Sequence, residues 1–191
     1  TGKADQEVLF DGLEGQLAQL AQAASAAAEA SQAQAESQAE QNKKAQIAED
    51  ELKVALRQEI GQGLVDVERE EDKVIITVGA GGAFASGSAQ LTPEAIEIMN
   101  RIAKVNADGT SDIKVSGHTD DVPLIFGSSY RDNWDLAAAR SASVVQAFAA
   151  NSTISEDRLE AISYGESRPV DSNESAEGRA KNRRIEIEIN Y

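Results

Sequence analysis

Between Gln16 and Ile60 the chain runs for 45 residues without a glycine, a proline or an aromatic ring, and 23 of them are alanine or glutamine. Both residues favour helix, and only Ile47, Val54 and Ile60 are β-branched, so propensity predicts one long helix here. At 1.5 Å per residue it would reach about 68 Å. Alternate steps of four and three from Leu13 pick out Leu17, Leu20, Ala24 and Ala27, then Ser31, Gln34, Gln38 and Gln41, then Ala45, Ala48, Leu52 and Ala55. The seam is apolar at both ends and polar across the middle, whereas a strong coiled coil stays apolar through several heptads. Three readings stay open: a solvated spacer helix frayed in the centre, a weak parallel coiled coil between two copies, or a partly disordered tract.

After Gly61 the pattern changes. Leu64–Glu68 and Lys73–Val78 are β-branched runs joined through Glu70-Glu71-Asp72, which reads as a hairpin. Gly79-Ala80-Gly81-Gly82 breaks the second strand. Thr92-Pro93-Glu94 is a helix start, with a capping hydroxyl, proline in the first turn and an acid near the positive dipole end. Ile96, Met99, Ile102 and Ala103 share a face of that helix, and Asp108-Gly109 ends it. Ile113–Ser116 is a strand, and a loop from His118 to about Asp132 leads into a helix from Asn133 to about Ala150. Leu136, Val144, Val145 and Phe148 form the buried stripe of that helix. Ile162–Tyr164 is a short strand. In Arg184–Ile189 strict alternation turns the isoleucines to a core and the glutamates to water. The expected fold is an α/β two-layer (α+β) domain over 61–191, a βαβαβ-type mixed sheet packed by helices. A helical spacer precedes it over 1–60.

Composition removes several functions. With 33 acidic against 18 basic side chains the formal charge is −15, wrong for nucleic acid, whose phosphates need a surplus of Lys and Arg. No apolar run is long enough to span a membrane. There is no cysteine and one histidine, so no disulfide framework, thiolate site or multi-His zinc site is expected. Gly79–Phe84 follows a strand like a dinucleotide loop, but Phe84 stands where the third glycine belongs. There is neither a P-loop lysine motif nor a Gly-x-Ser-x-Gly elbow. His118 with Asp120 is too cheap a spacing to argue hydrolysis. Neither cofactor nor metal is expected, and no catalysis. The start at Thr1-Gly2, without methionine or secretory n-region, reads as a piece of a longer protein.

Four motifs remain: Gly117-His118-Thr119-Asp120, Asn133-Trp134-Asp135-Leu136-Ala137-Ala138-Ala139-Arg140, Tyr164-Gly165-Glu166-Ser167-Arg168-Pro169, and Asn182-Arg183-Arg184-Ile185-Glu186-Ile187. In this order they resemble the OmpA/MotB-type peptidoglycan-binding domain, over about Gly61 to Tyr191. Ala137 stands where that pattern has serine, and Ser141 where it usually has alanine. Asp120-Asp121-Val122-Pro123, the insertion up to Trp134 and Phe84–Ala89 look most like the B subunit of the flagellar stator. Gly63–Glu68 with Val74–Val78 leans toward its sodium-type PomB branch.

The resemblance implies a non-catalytic periplasmic anchor that fixes an ion-driven stator to the cell wall. It implies an inner-membrane protein whose single transmembrane helix lies outside these 191 residues. Its partners would be peptidoglycan, the stator A subunit, a second copy and basal-body components. Another OmpA-like tether, such as a lipoprotein or porin tail, is the alternative, and a wall enzyme a third class. The ligand would be diaminopimelate in the stem peptide, its ammonium held by Asp120 and its carboxylate by Arg140, whose planar fork can donate two parallel bonds. Asn133, Thr119 and Arg183 are the further candidates. Each has a plainer reading: Asp120 caps a turn, Asn133 caps its helix, Arg140 pairs with Asp120 without ligand, Arg183 helps hold an acidic face together. His118 is expected to support the loop.

Overall fold

The computed structural model describes residues 2–107, 109–150 and 154–191, with backbone alone at 4–9. Helix α1 (Gly2–Ala55) carries most of the alanine- and glutamine-rich stretch, as propensity dictates, but the single helix expected to run to Ile60 stops at Ala55. The chain falls into two units, Thr1–Gln41 and Asn42–Tyr191. In the first, Phe10, Leu13, Leu17 and Leu20 are exposed. In the second, the same seam is buried: Ala45, Ala48 and Leu52 enter the hydrophobic core together with Leu56. The folded unit thus begins before the change of composition at 60/61, because small apolar residues at helical spacing look alike in a spacer and in a core helix. Leu52 is fully buried, so Leu52→Ala is expected to cost about 3 kcal/mol. Leu20→Ala, at an exposed position, should stay within about 0.5 kcal/mol in denaturant titrations of the single chain.

A short helix α2 (Arg57–Gly61) follows, then strands β1 (Val65–Glu70) and β2 (Lys73–Gly79). They pair as the expected hairpin, its turn made with Glu71 at φ 54. The glycine-rich break folds as the single turn α3 (Ala80–Ala83). Helix α4 (Pro93–Val105) starts as read from the sequence, with Thr92 accepting from Ala95 N. The break expected at its end includes Asp108, which lies outside the described residues. Strand β3 (Asp112–His118), helix α5 (Asn133–Ala150), strand β4 (Leu159–Gly165), helix α6 (Ala176–Asn182) and strand β5 (Arg184–Asn190) complete the unit. The strands form one mixed sheet in the order β1-β2-β5-β3-β4, in which only β3 and β4 run parallel.

Alternation of buried and more exposed positions, clearest in β2 and β5, makes that sheet one-sided. Val67, Ile76, Ile187 and Val115 sit side by side across four strands and all are buried. Helix α4 adds Ile98, Met99 and Ile102, and α5 adds Val144 and Phe148, giving the two-layer α+β arrangement. On the opposite face Glu68, Ile75, Glu188 and Lys114 are in register and remain partly or fully exposed.

Two close approaches fix the geometry near the strand ends. A Cβ on Gly117 would lie 2.3 Å from the Ala137 carbonyl oxygen, so α5 rests directly on β3 there. A Cβ on Gly178 would lie 1.9 Å from the Ser172 carbonyl oxygen. Helix α6, which the sequence pattern does not announce, is pinned to the preceding loop in this way. Asn182 at its end is fully buried. Its Oδ1 accepts from Val170 N and Asp171 N, and its Nδ2 donates to Asp171 O and to Asn173 Oδ1.

Candidate functional site

The antiparallel register of β3 and β5 pairs His118 with Arg184. The residues just beyond that pair, Thr119-Asp120 leaving β3 and Arg183 entering β5, are thereby brought to one end of the sheet. Arg183 Nη1 donates to Asp120 Oδ2 at 2.5 Å. The other Asp120 oxygen accepts from Val122 N at 3.1 Å. Asp120 is nearly buried, while the Arg183 side chain is 41% exposed, so the guanidinium keeps donors that face solvent.

The backbone around the carboxylate is held from three directions. Thr119 N donates to Gly165 O at 2.8 Å, and Thr119 Oγ1 donates to Asp120 O at 2.8 Å. Asn133 Nδ2 reaches Asp120 O at 3.2 Å, Val122 O at 3.1 Å and Glu166 Oε2 at 2.6 Å. Thr119 and Asn133 are both buried. They shape the loop that carries Asp120 and offer it little that a ligand could reach. The cap of α5 is Asp132, whose Oδ1 accepts from Asp135 N at 2.8 Å. That releases Asn133 from capping, the plain role the sequence allowed it, and frees it to tie the loop to Glu166.

Arg140 lies two turns into α5, as the spacing required. Its Nε donates to Ser88 O at 2.9 Å, and its guanidinium sits 5.0 Å from the Phe84 ring centroid. Among the described residues it forms no ion pair with Asp120; the direct partner of Asp120 is Arg183. Burial pushes the Arg140 guanidinium below its ordinary value, Tyr130 and Asp120 oppose that shift, and Arg183 adds to it. Arg140 therefore feels both members of the Asp120–Arg183 pair, and it stays protonated because arginine titrates so high. One buried carboxylate with two guanidiniums on different elements is an arrangement suited to a small zwitterion. Sequence reasoning missed Ser88 and Phe84, which aim Arg140, and Glu166, which anchors Asn133. Glu166 belongs to one of the four motifs, but only the strand order reveals what it faces.

Behind the site, His118 is buried in its supporting role. Its ring lies 5.3 Å from that of Tyr164, and its Nε2 is 3.3 Å from Ser116 Oγ and 3.7 Å from Glu186 Oε2. Glu186 does not simply face water, as alternation alone suggested: it also accepts from Arg184 Nε at 2.7 Å. The His118 ring and then Arg184 hold the Glu186 carboxyl at about 2, against the burial that would raise it. Of the two contacts the one to Arg184 is the shorter, 2.7 Å against 3.7 Å. A depressed carboxylate contributes stability above its ordinary value near 4.5 and loses it as the pH falls toward 2. Glu186→Gln is thus expected to be about 1–2 kcal/mol less stable than the parent at pH 7, after allowing for solvent screening. Thermal melts should show the gap closing between pH 4.5 and 2.

Comparison with known proteins places this geometry. The OmpA family profile matches residues 83–183. Motility protein B of Bacillus subtilis is 32% identical over 126 residues, covering 65% of this chain and 48% of that protein. The crystal structure of a putative MotB-like protein from Desulfovibrio vulgaris superposes with a TM-score of 0.73 at 27% identity, covering 80% of this chain and 94% of that one. The cell wall anchor of the type VI secretion system (T6SS) from Pseudomonas aeruginosa superposes at 0.66 with 32% identity, covering 73% and 96%. The chain spans about half the length of the first curated relatives it matches. The fold, the site at the strand ends and these matches agree: the chain belongs to the OmpA family and is homologous to motility protein B.

Proposed function

We propose that this domain is a non-catalytic cell-wall anchor that grips the stem peptide of peptidoglycan through Asp120, Arg140 and Arg183. The observation that carries the reading is the Asp120–Arg183 pair at the mouth of the strand ends with Arg140 held beside it. A diaminopimelate side chain presents an ammonium next to a carboxylate. Asp120 takes the ammonium, and the guanidiniums take the carboxylate in charge-assisted bonds of about 1.5–3 kcal/mol each. At a net charge of −15 the protein repels an anionic polymer at long range, and salt confines that repulsion to about 8 Å. Recognition then rests on the short-range pocket, which suits reversible capture of a polymer that offers many copies of its ligand.

The similarity to motility protein B supports a place in the flagellar stator, in the periplasm, as one of two B subunits joined to A subunits through a membrane segment. The first unit, Thr1–Gln41, is then part of the reach between membrane and wall. The similarity to a T6SS cell wall anchor favours a second reading, a wall tether in another envelope machine. Co-sedimentation with purified sacculi tests what the two share. The domain is expected to pellet with sacculi, to be displaced by free stem peptide and to release no muropeptides. Failure to pellet would remove the anchor reading, and released fragments would make the protein an enzyme.

A further inference from the structure

Beside the charged site lies a second recess that neither the ionic ligand nor the sheet accounts for. It measures about 280 Å³ and is lined by Asp121, Pro123, Leu124, Asp132, Trp134 and Glu166 among others. That is close to the lower limit for small-molecule clefts, room for one ring-sized group. Asn133 joins the two sites, lining the recess while donating to the Asp120 carbonyl.

Trp134 gives the recess its character. Gly165, at φ +51, would place a Cβ 2.9–3.1 Å from three atoms of the indole. Only glycine lets the ring lie against the backbone there, and this close seat fixes the ring's position. The Ser163 hydroxyl also donates to the Trp134 carbonyl. Yet Trp134 remains 47% exposed, so a well-anchored aromatic surface faces solvent beside a polar rim. Asp121, Asp132 and Glu166 supply carboxylates to that rim. The cation of the lining, Arg131, is already paired with Asp135, so the three acids disfavour another carboxylate or phosphate of the polymer. They would accept hydrogen bonds from a neutral, donor-rich group.

A pyranose ring has those two properties: an apolar C–H face that stacks on an aromatic ring, and hydroxyl and acetamide donors around its edge. We infer that the Trp134 recess is a saccharide subsite for one N-acetylated sugar of the glycan strand whose stem peptide occupies the charged site. This rests on the peptidoglycan reading above and extends it from the peptide to the sugar. Two linked contacts on one polymer then bind more tightly than either alone.

The test compares the free stem peptide with the same peptide carrying its N-acetylglucosaminyl–N-acetylmuramyl disaccharide, by calorimetry on the full chain. The disaccharide peptide is expected to bind about tenfold more tightly, the scale of one good aromatic stacking contact. Trp134 is the only tryptophan, so emission of the unmodified protein should shift to the blue with the disaccharide peptide and not with the peptide alone. Trp134→Ala should lower the affinity for the disaccharide peptide to the level the parent shows for the bare peptide, and Trp134→Phe should keep part of the gain. Far-UV spectra of both variants check the fold. If the parent binds both ligands within twofold with unchanged emission, the subsite is overturned while the anchor reading stands. If it binds neither, the anchor reading falls and the subsite with it.

Discussion

Asp120→Ala is expected to abolish co-sedimentation with sacculi while leaving the far-UV spectrum unchanged. The side chain is the only carboxylate directly paired with Arg183 among the described residues, and its removal leaves two guanidiniums facing the ligand's ammonium. Losing a charge-assisted bond costs about 1.5–3 kcal/mol, and placing like charges together adds to that, so a loss of about 100-fold or more in affinity follows. Asp120→Asn separates the terms. It retains an oxygen to accept from Val122 N and removes only the charge, so a loss of about 10- to 100-fold is expected. Arg140→Ala should weaken binding as well, since the guanidinium tied to Ser88 O would no longer meet the carboxylate. The fold should tolerate Asp120→Ala because Thr119 and Asn133 brace the Asp120 backbone independently of its side chain. If the variants unfold instead, the Asp120–Arg183 pair is a structural strut.

A large effect on stability is expected at Gly117, where the clash also reaches the helix that carries site residues. A methyl group there would stand 2.3 Å from the Ala137 carbonyl oxygen and 2.9 Å from its carbon. Backbone cannot yield as a flexible side chain can, so α5 must lift off β3. Overpacking of this kind costs about 3 kcal/mol or more. For a chain of this size that lowers Tm by roughly 6–12 °C. Because α5 also carries Asn133 and Arg140, Gly117→Ala should lose sacculus binding even at temperatures where it remains folded. Gly81→Ala is the control: nothing lies within 4 Å of its added Cβ, and its melt should stay within about 2 °C of the parent.

Elements ruled by local chemistry were legible in the sequence. Alternation placed Ile185, Ile187 and Ile189 in the core, the Thr92-Pro93 start placed α4, and the β-branched runs placed the hairpin. Helix α6 escaped because its seven residues are pinned by Gly178 against Ser172 and by the Asn182 bonds, all of them tertiary. The end of α1 looks like spacer in the sequence because burial of Ala45 and Leu52 depends on what packs over them. At the site, resemblance named Asp120, Arg140 and Arg183, but their pairing follows from strand order. Inserting β5 between β2 and β3 sets Arg184 opposite His118 and so brings Arg183 to Asp120 across 63 positions of sequence. No spacing along the chain carries that information.

If Asp120 and the two guanidiniums read an ammonium and a carboxylate together, stem peptides that differ in that carboxylate alone must bind differently. Calorimetric titration with two peptides differing at one residue puts this to the test. One carries diaminopimelate, and the other carries lysine, which keeps the ammonium and lacks the neighbouring carboxylate. The diaminopimelate peptide is expected to bind at least about tenfold more tightly, with the difference shrinking in Arg140→Ala. Equal affinity for the two peptides would mean that the site does not read the zwitterion.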